Sequence, residues 1–152
     1  MSYMFYVPTR VLFGAGQLNN LHKQAMPGKK AMLVISSGNS TRRSGALDRT
    51  TEQLRTAGVE VALFDKVGSN PLKATVEEGA AFARSNGCDF VVALGGGSVM
   101  DAAKVMAMYA PQPGDLWDYV PGATGKMQPL VNPVLPWIAI TTTAGTGSEV
   151  DQ

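Results

Sequence analysis

The stretch Phe90–Tyr109 reads FVVALGGGSVMDAAKVMAMY and decides the fold. Its first five residues are a continuous apolar run, which is typical of a strand buried on both faces of a parallel sheet. Three glycines and Ser98 then lead into the helical pattern of Val99–Tyr109. Glycines let the backbone approach a ligand closely, and a helix amino terminus presents free N–H groups to an anion. The stretch therefore predicts a buried strand, a tight turn and a helix in an arrangement suited to binding phosphate.

The same turn also fits a purely structural interpretation. Ser98 suits the N-cap of the helix, and Asp101 lies three residues later, as in a capping box. Asp101 and Lys104 are spaced for an i,i+3 ion pair. A well-capped helix after a tight turn is the alternative to a phosphate site.

Three further apolar runs are similar in length and continuity to Phe90–Leu94. They are Ala31–Ile35, Val61–Phe64 and Trp137–Ile140. Helical patterns lie before and between the first strands, at Gln17–Met26, Gly45–Ala57 and Leu72–Ser85. This alternation predicts right-handed βαβ crossovers and an α/β domain in which helices flank a parallel sheet. Phe5–Phe13 is also strand-like, and Pro8 within it predicts an edge strand or a hairpin.

Composition restricts the class of protein. The chain has 152 residues, of which 45% are hydrophobic, and a net charge of +1, so we expect one domain over residues 1–152 and no nucleic-acid partner. No apolar run approaches the roughly 18 residues of a membrane span, so no membrane partner is expected. A single cysteine, Cys88, excludes an internal disulfide and indicates a reducing, cytoplasmic compartment. With one histidine, His22, the chain cannot build a multi-histidine metal site.

A second candidate ligand-binding pattern follows the last strand, where Thr141–Glu149 reads TTTAGTGSE. In an open α/β sheet, ligands lie beyond the carboxyl ends of the strands, so these hydroxyl groups are candidate ligand contacts. The alternative is a loop in which Ser148 caps a following helix. Gly14–Gly16 and Gly125-Lys126 lack the spacing of a nucleotide-binding motif, and the first is interpreted as a tight turn.

Together these motifs resemble those of the iron-containing (group III) alcohol dehydrogenase family. Gly95–Lys104, GGGSVMDAAK, is similar to the hallmark GGGS-x-x-D-x-x-K, and Thr142–Glu149, TTAGTGSE, is similar to a second hallmark. Asn70-Pro71 and Phe13-Gly14 match two shorter ones in the expected order. The resemblance covers the whole chain.

The resemblance implies a Rossmann-like nucleotide domain that is followed, in members about twice this long or more, by an all-helical domain. That second domain supplies an Asp and three His that bind Fe²⁺ or sometimes Zn²⁺, and none of those ligands lies in this chain. The implied reaction transfers a hydride between a nicotinamide cofactor and a small primary alcohol or aldehyde. We expect the nucleotide-binding half of such an enzyme, with no catalytic or metal-binding residue of its own, inactive alone, and a parent that forms a homodimer or higher homo-oligomer.

The resemblance also implies roles for individual residues. Gly96, Gly97 and Ser98 are expected to hold the pyrophosphate through their backbone N–H groups. Asp101 is expected beside the nicotinamide end, and Asn70 in the same cleft. The residues expected on the adenosine side are Thr142, Thr143 and Thr146.

The loop after the first strand bears on the choice of cofactor. NAD-preferring relatives place an Asp there, which binds the ribose 2′-hydroxyl and repels a 2′-phosphate. Here the loop has no carboxylate, and its candidate cofactor contacts are Ser37, Gly38, Asn39 and Ser40. Arg42 and Arg43 follow, and arginines accept phosphate well. The loop is similar to that of NADP(H)-using butanol dehydrogenases, so NADP(H) is favoured over NAD(H); the alternative is that both arginines face water.

Two other functions stay open. A dehydroquinate-synthase-like lyase that uses NAD and zinc shares the implied fold and a similar glycine turn. The TTAGTGSE run and the acid-free first loop argue against it. An inert nucleotide-binding fragment is the non-catalytic alternative.

Overall fold

Four parallel strands form the centre of residues 8–122 and 124–150, the part of the chain that the computed structural model describes. The strands are β1 (Lys30–Ser36), β2 (Glu60–Val67), β3 (Phe90–Gly95) and β4 (Trp137–Thr141). Their order in the sheet is β2-β1-β3-β4, and each neighbouring pair is parallel. The strands predicted from the apolar runs are confirmed, and so is the Rossmann-like α/β class.

Helices cover both faces of this sheet. They are α1 (Ser40–Arg43), α2 (Ala46–Thr56), α3 (Lys73–Ser85) and α4 (Gly97–Tyr109), with 3-10 helices at Gln17–Lys23 and Leu116–Asp118. α2 and the first 3-10 helix share a core with Leu33, whereas α3 and α4 share the opposite core with Val34. Because consecutive residues of β1 enter different cores, the strand is apolar throughout, as its continuous run predicted.

β3 is buried along its whole length. It lies between β1 and β4, and its Val92 is opposite Leu33 on one side and Ile138 on the other. Burying a Val, Leu or Phe side chain stabilises a fold by roughly 1.5–3 kcal/mol. Phe90 and Leu94 are both 0% exposed, and their burial anchors β3 in the core. The glycine turn follows directly from this strand.

The first helix differs from its prediction. The sequence predicts a helix over Gln17–Met26, whereas the structure has a 3-10 helix that ends at Lys23. Gly16, with a φ of 78°, leads into it, and this confirms the tight turn expected at Gly14–Gly16. Leu21 is the buried residue of this helix, and one anchoring side chain favours a short helix over a long amphipathic one.

The helices predicted between the strands are confirmed with small shifts. Gly45–Ala57 corresponds to α2, and the structure adds the short α1 in front of it, where the sequence analysis expected a loop. Gly58 and Gly87, which follow α2 and α3 closely, have φ angles of 78° and 63°. Glycine adopts this left-handed conformation without a steric penalty, so both helices end where the sequence indicates.

The N-terminal edge strand or hairpin predicted over Phe5–Phe13 is absent from its described part. Phe5–Val7 lie outside the described residues, and Pro8–Phe13 form no strand. Pro8 has no backbone N–H to donate to a sheet. Phe13 is 95% exposed, so its side chain does not anchor the segment to the core.

The proline-rich residues 111–136 are organised around one buried polar side chain. Gln112 is 5% exposed, and its amide nitrogen donates to the carbonyl of Asn132 at 2.7 Å. Its side-chain oxygen accepts from the backbone N–H groups of Val131 and Asn132, each at 2.9 Å. These contacts satisfy the polar atoms of a buried side chain and join the start of the segment to its later part.

Candidate functional site

The order of the strands creates a crevice at the carboxyl edge of the sheet. The connection from β1 runs outward to β2 over one face, whereas the connection from β3 runs outward to β4 over the other. The strand ends of β1 and β3 are therefore neighbours whose following segments diverge. In open α/β sheets, ligands bind at this switch point. The loop beginning at Ser37 and the turn Gly95–Ser98 both border it.

The glycine turn leads directly into α4. Gly96 is the N-cap, with an extended backbone of φ −90° and ψ −171°, and α4 begins at Gly97. The structural alternative, with Ser98 as the N-cap and Asp101 completing a capping box, is wrong: in the described residues, no side chain caps this helix. Ser98 lies in the first helical turn because the glycines enter the helix two residues earlier than expected. The N–H groups at this terminus are thus left for an anion to satisfy.

Asp101 has the other role that was predicted for it. Its Oδ1 lies 3.9 Å from the ammonium group of Lys104, which confirms the i,i+3 pair. The same ammonium group lies 5.6 Å from the ring centroid of Trp137 on β4. Lys104 therefore joins α4 to the sheet, while the Asp101 side chain, 55% exposed, stays at the surface of the first helical turns.

Close packing explains why three glycines form this turn. None of Gly95, Gly96 and Gly97 has a left-handed φ, so their backbone conformations do not require glycine. A Cβ on Gly95 would lie 2.6 Å from Cγ2 of Val99, and a Cβ on Gly97 would lie 3.0 Å from a methyl carbon of the loop after β4. Real Cβ atoms essentially never come closer than 3.0 Å to such neighbours. A side chain at Gly95 would therefore displace Val99, and one at Gly96 or Gly97 would need its neighbour to move by a few tenths of an ångström.

The threonine loop after β4 packs on this turn. A Cβ on Gly96 would lie 3.1 Å from Oγ1 of Thr143, and the methyl carbon facing Gly97 is Cγ2 of Thr146. The N–H of Thr142 donates to the carbonyl of Gly95 at 2.9 Å, which extends the pairing of β3 with β4 into the loop. The structure thus brings the two predicted motifs together, with Thr143 and Thr146 over the glycines.

The end of the threonine loop is partly buried. Ser148 is 5% exposed, and its N–H donates to Oγ1 of Thr146 at 3.4 Å. Residues 148–150 form a turn rather than a helix, so Ser148 caps no helix in the described part of the chain. Oε2 of Glu149 is buried and has no hydrogen-bond partner among the described residues.

The loop after β1 is held mainly through its backbone. The N–H of Ser37 donates to the carbonyl of Val67 at 2.9 Å, at the end of β2. Asn39 is the N-cap residue of α1, without a side-chain bond to the helix, and Ser40 is its first residue. Ser37, Gly38, Asn39 and Ser40 are all largely accessible at the crevice.

A carboxylate that the sequence analysis missed lies beside this loop. Nη2 of Arg42 is 2.6 Å from Oδ2 of Asp65 on β2. The expectation that Arg42 either binds phosphate or faces water is therefore incomplete, because an acidic partner is already in contact with it. Asp65 follows Phe64, the last residue of the predicted strand Val61–Phe64, so nothing in the sequence tied it to Arg42.

Asn70 lies apart from the glycine turn. It is exposed in the loop between β2 and α3, at the same edge of the sheet, with β1 between its strand and β3. The structure therefore places it at the margin of the crevice. Its expected position beside the nicotinamide end stays a prediction.

His22 and Cys88 lie away from the carboxyl edge. Nδ1 of His22 is 2.6 Å from Oε1 of Gln53 on α2, a contact between two helices. Cys88 is buried just before β3 begins, and this burial raises the pKa of its thiol. Across residues 8–122 and 124–150, no group of three or more His, Cys, Asp or Glu side chains is placed to hold a metal ion. Nor does any helix there have the length and apolar character needed to cross a membrane.

Comparison with known proteins gives the family. The sequence model described as "Iron-containing alcohol dehydrogenase" matches residues 8–152. This chain belongs to the iron-containing alcohol dehydrogenase family. The resemblance drawn from the glycine and threonine motifs is thereby confirmed, and this family is favoured over a dehydroquinate-synthase-like lyase.

Individual family members support the assignment. The 1,3-propanediol dehydrogenase of Klebsiella pneumoniae is 40% identical over 155 residues, a match that covers 99% of this chain and 39% of that protein. The NADH-dependent butanol dehydrogenase A of Clostridium acetobutylicum is 34% identical, with 100% of this chain and 38% of that protein covered. The solved structure of ADH/D1, an archaeal halo-thermophilic alcohol dehydrogenase from a Red Sea brine pool, has a TM-score of 0.89 at 37% identity over 99% of this chain and 39% of its own. The chain thus spans about two fifths of the length of these relatives.

Proposed function

We propose that this chain is the nucleotide-binding part of an NAD(P)-dependent alcohol dehydrogenase that interconverts small primary alcohols and aldehydes. The observation that carries the proposal is the uncapped amino terminus of α4, which opens at the crevice between β1 and β3 under a layer of threonines. Family relatives named as butanol and 1,3-propanediol dehydrogenases support this substrate class.

Within this proposal, the N–H groups of Gly96, Gly97 and Ser98 bind the pyrophosphate. A helix amino terminus carries a partial positive charge as well as free donors, so it attracts a phosphate anion. The residues that line the adenosine side are Thr142, Thr143 and Thr146. Asp101 and Asn70 contribute at the nicotinamide end, where the bound cofactor supplies or accepts the hydride.

The described residues do not fit a divalent metal, because they bring no set of ligands together. We propose that Fe²⁺ or Zn²⁺ is held by residues outside this chain, within the additional length that the relatives have. The chain alone is then expected to bind the nucleotide without turning over an alcohol.

We further propose that the cofactor is NADP(H) in preference to NAD(H). The support is the loop Ser37–Ser40, which lacks a carboxylate next to the position of the ribose, and the two arginines that follow it. Some relatives are named as NADH-dependent, so this preference is a property proposed for the loop of this chain and not carried over from them.

The proposed setting is the cytoplasm, with the protein in a homodimer or larger homo-oligomer. Exposed apolar side chains support association: Phe13 is 95% exposed, Met127 74% and Val131 68%. Light scattering on the purified chain measures its mass in solution. A monomer at all accessible concentrations would contradict association through these residues.

Titration with NADPH and NADH, followed by nicotinamide fluorescence, tests the function. We expect saturable binding of both, with NADPH tighter, and no reduction of butyraldehyde in the presence of Fe²⁺ or Zn²⁺. Absence of binding by either nucleotide would overturn the proposed function. Sustained turnover by this chain would overturn the assignment of the reaction centre to residues outside it.

A further inference from the structure

The inference concerns Asp65, which lies at an irregular point of β2. Val34 pairs with Phe64, but Ser36 pairs with Val67, so β2 carries one more residue than β1 across this interval. Phe64 and Val67 are both buried in the core shared with α3 and α4. The extra residue keeps both in that core and leaves Asp65 at the edge of the sheet, beside α1. Such bulges are known to redirect side chains next to functional sites.

Asp65 contacts a group that belongs to the cofactor loop. Its partner Arg42 lies in α1, which begins at Ser40, directly after the loop that borders the crevice. The two side chains are 37% and 44% exposed, so water reaches the pair and a ligand can too. The contact uses Nη2 of Arg42, and a guanidinium group carries further N–H donors in a planar fork.

We propose that Asp65 is a specificity-determining residue that weakens binding of a cofactor 2′-phosphate by holding Arg42. This rests on the proposed function, in which the loop Ser37–Ser40 faces the adenosine ribose. Asp65 acts in two ways: it competes with the phosphate for the guanidinium group, and its own negative charge repels the dianion. A ribose that carries a 2′-hydroxyl experiences neither effect strongly. Asp65 thus reduces, without reversing, the preference for NADP(H) that the loop after β1 and its two arginines give.

The size of the effect follows from the charges. Asp65 and a phosphate dianion bound in the crevice repel each other through water, and the second charge of the dianion doubles this repulsion. Removing the Asp65 charge is therefore expected to tighten binding of a 2′-phosphorylated ligand about three- to tenfold. The effect is electrostatic, and the side chains of Arg42 and Asp65 are partly exposed. Added salt is therefore expected to reduce it.

The test compares two ligands that differ only in the 2′-phosphate, ADP-ribose and 2′-phospho-ADP-ribose, by isothermal titration calorimetry on the chain. Neither ligand has a nicotinamide, so contacts between a nicotinamide and residues outside this chain do not affect either affinity. Asp65→Asn is expected to raise the affinity for 2′-phospho-ADP-ribose three- to tenfold. Its affinity for ADP-ribose is expected to change less than twofold. Asp65→Glu, which keeps the charge, is expected to retain the ratio of the natural chain within twofold.

The matched control is Glu60→Gln. Glu60 pairs with Lys30 at 3.4 Å across the same two strands, but at their amino ends, away from the crevice. Its loss changes the net charge of the protein equally and is expected to leave both affinities within twofold. An equal gain with Glu60→Gln would show a general charge effect and overturn the role of Asp65.

The outcomes separate the inference from the function on which it rests. If the natural chain binds neither ligand, the proposed function fails. In the other case, the natural chain binds both ligands. If Asp65→Asn then leaves the affinity for 2′-phospho-ADP-ribose relative to that for ADP-ribose unchanged or lowers it, the inference fails while the function stands. Should Asp65→Asn unfold, Asp65→Ser removes the same charge and is judged by the same ratio.

Discussion

Two neighbouring parts of the carboxyl edge are built in different ways. The glycine–threonine contact, formed by Gly95–Ser98 with Thr143 and Thr146, is packed so closely that a Cβ on any of its three glycines would displace a neighbour. The serine loop, formed by Ser37–Arg43, is exposed along most of its length and is joined to β2 by one backbone hydrogen bond and one ion pair. The first is fixed by the core, and the second by a few polar contacts at the surface.

This difference indicates a division of roles. Close-packed interiors respond to every added methyl group, so the glycine–threonine contact is suited to hold one geometry, as binding a pyrophosphate requires. Exposed ion pairs contribute little to stability, so residues of the serine loop can change without unfolding the protein. The first region is expected to determine whether a dinucleotide binds, and the second to determine which one.

The largest effect is expected from Gly95→Ala. The new Cβ would meet Cγ2 of Val99 at 2.6 Å, and a valine in a helix has little freedom to move aside. Overpacking of this kind lowers the free energy of unfolding by about 1–3 kcal/mol, which urea denaturation measures. Gly68→Ala is the control, because a Cβ there has no neighbour within 4 Å, and its stability is expected to stay within about 0.5 kcal/mol. Equal stabilities for the two variants would contradict the packing account.

Gly97→Ala is expected to affect binding more than stability. Alanine favours the helix by up to about 1 kcal/mol, which offsets the crowding of Thr146 at 3.0 Å. The methyl group forces Thr146 outward at the pyrophosphate position, so affinity for ADP-ribose should fall about tenfold, or about 1.4 kcal/mol. Calorimetry measures this, and Thr146→Ser in the same chain should restore part of the affinity by removing the crowding methyl group. A fall in stability with unchanged affinity would contradict the role in dinucleotide binding given to the glycine–threonine contact.

Arg42→Gln is expected to change selectivity and little else. Without the guanidinium group, affinity for 2′-phospho-ADP-ribose should fall about three- to tenfold, while ADP-ribose binding should change less than twofold. The free energy of unfolding should change by less than about 1 kcal/mol, because exposed ion pairs contribute no more than that. Equal losses for both ligands would mean that the serine loop supports binding in general, and the distinction between the regions would not hold.

The smallest effect is expected from Cys88→Ala, at the opposite edge of the sheet. Burial raises the pKa of the native thiol above its ordinary value of 9.0. The unfolded thiol therefore ionises first as the pH rises, so its contribution to stability is intact below pH 9.0 and declines above it. Urea denaturation from about pH 8 to about pH 10 should show a smaller decline in Cys88→Ala than in the natural chain. Nucleotide affinity should be unchanged, and a change would show that the two edges are coupled.

The sequence predicted the packed region better than the exposed one. The run Phe90–Leu94 and the run Trp137–Ile140 are apolar enough to identify β3 and β4, and parallel pairing then brings the motifs after them together. The entry into α4 was not predictable in detail, because Ser98 is a good N-cap residue and only the packing of Thr143 and Thr146 shows why the glycines are there. The pair of Arg42 with Asp65 depends on a bulge in β2, which the apolar pattern does not reveal.

The central claim is that the glycine turn binds the pyrophosphate, and amide spectra test it most directly. Two-dimensional ¹H–¹⁵N spectra of the chain during titration with ADP-ribose report each backbone N–H separately. The account predicts saturable binding with the largest shifts at Gly96, Gly97 and Ser98, and smaller ones in the serine loop. Saturable binding that leaves these three amides unchanged, or no binding at all, would contradict it.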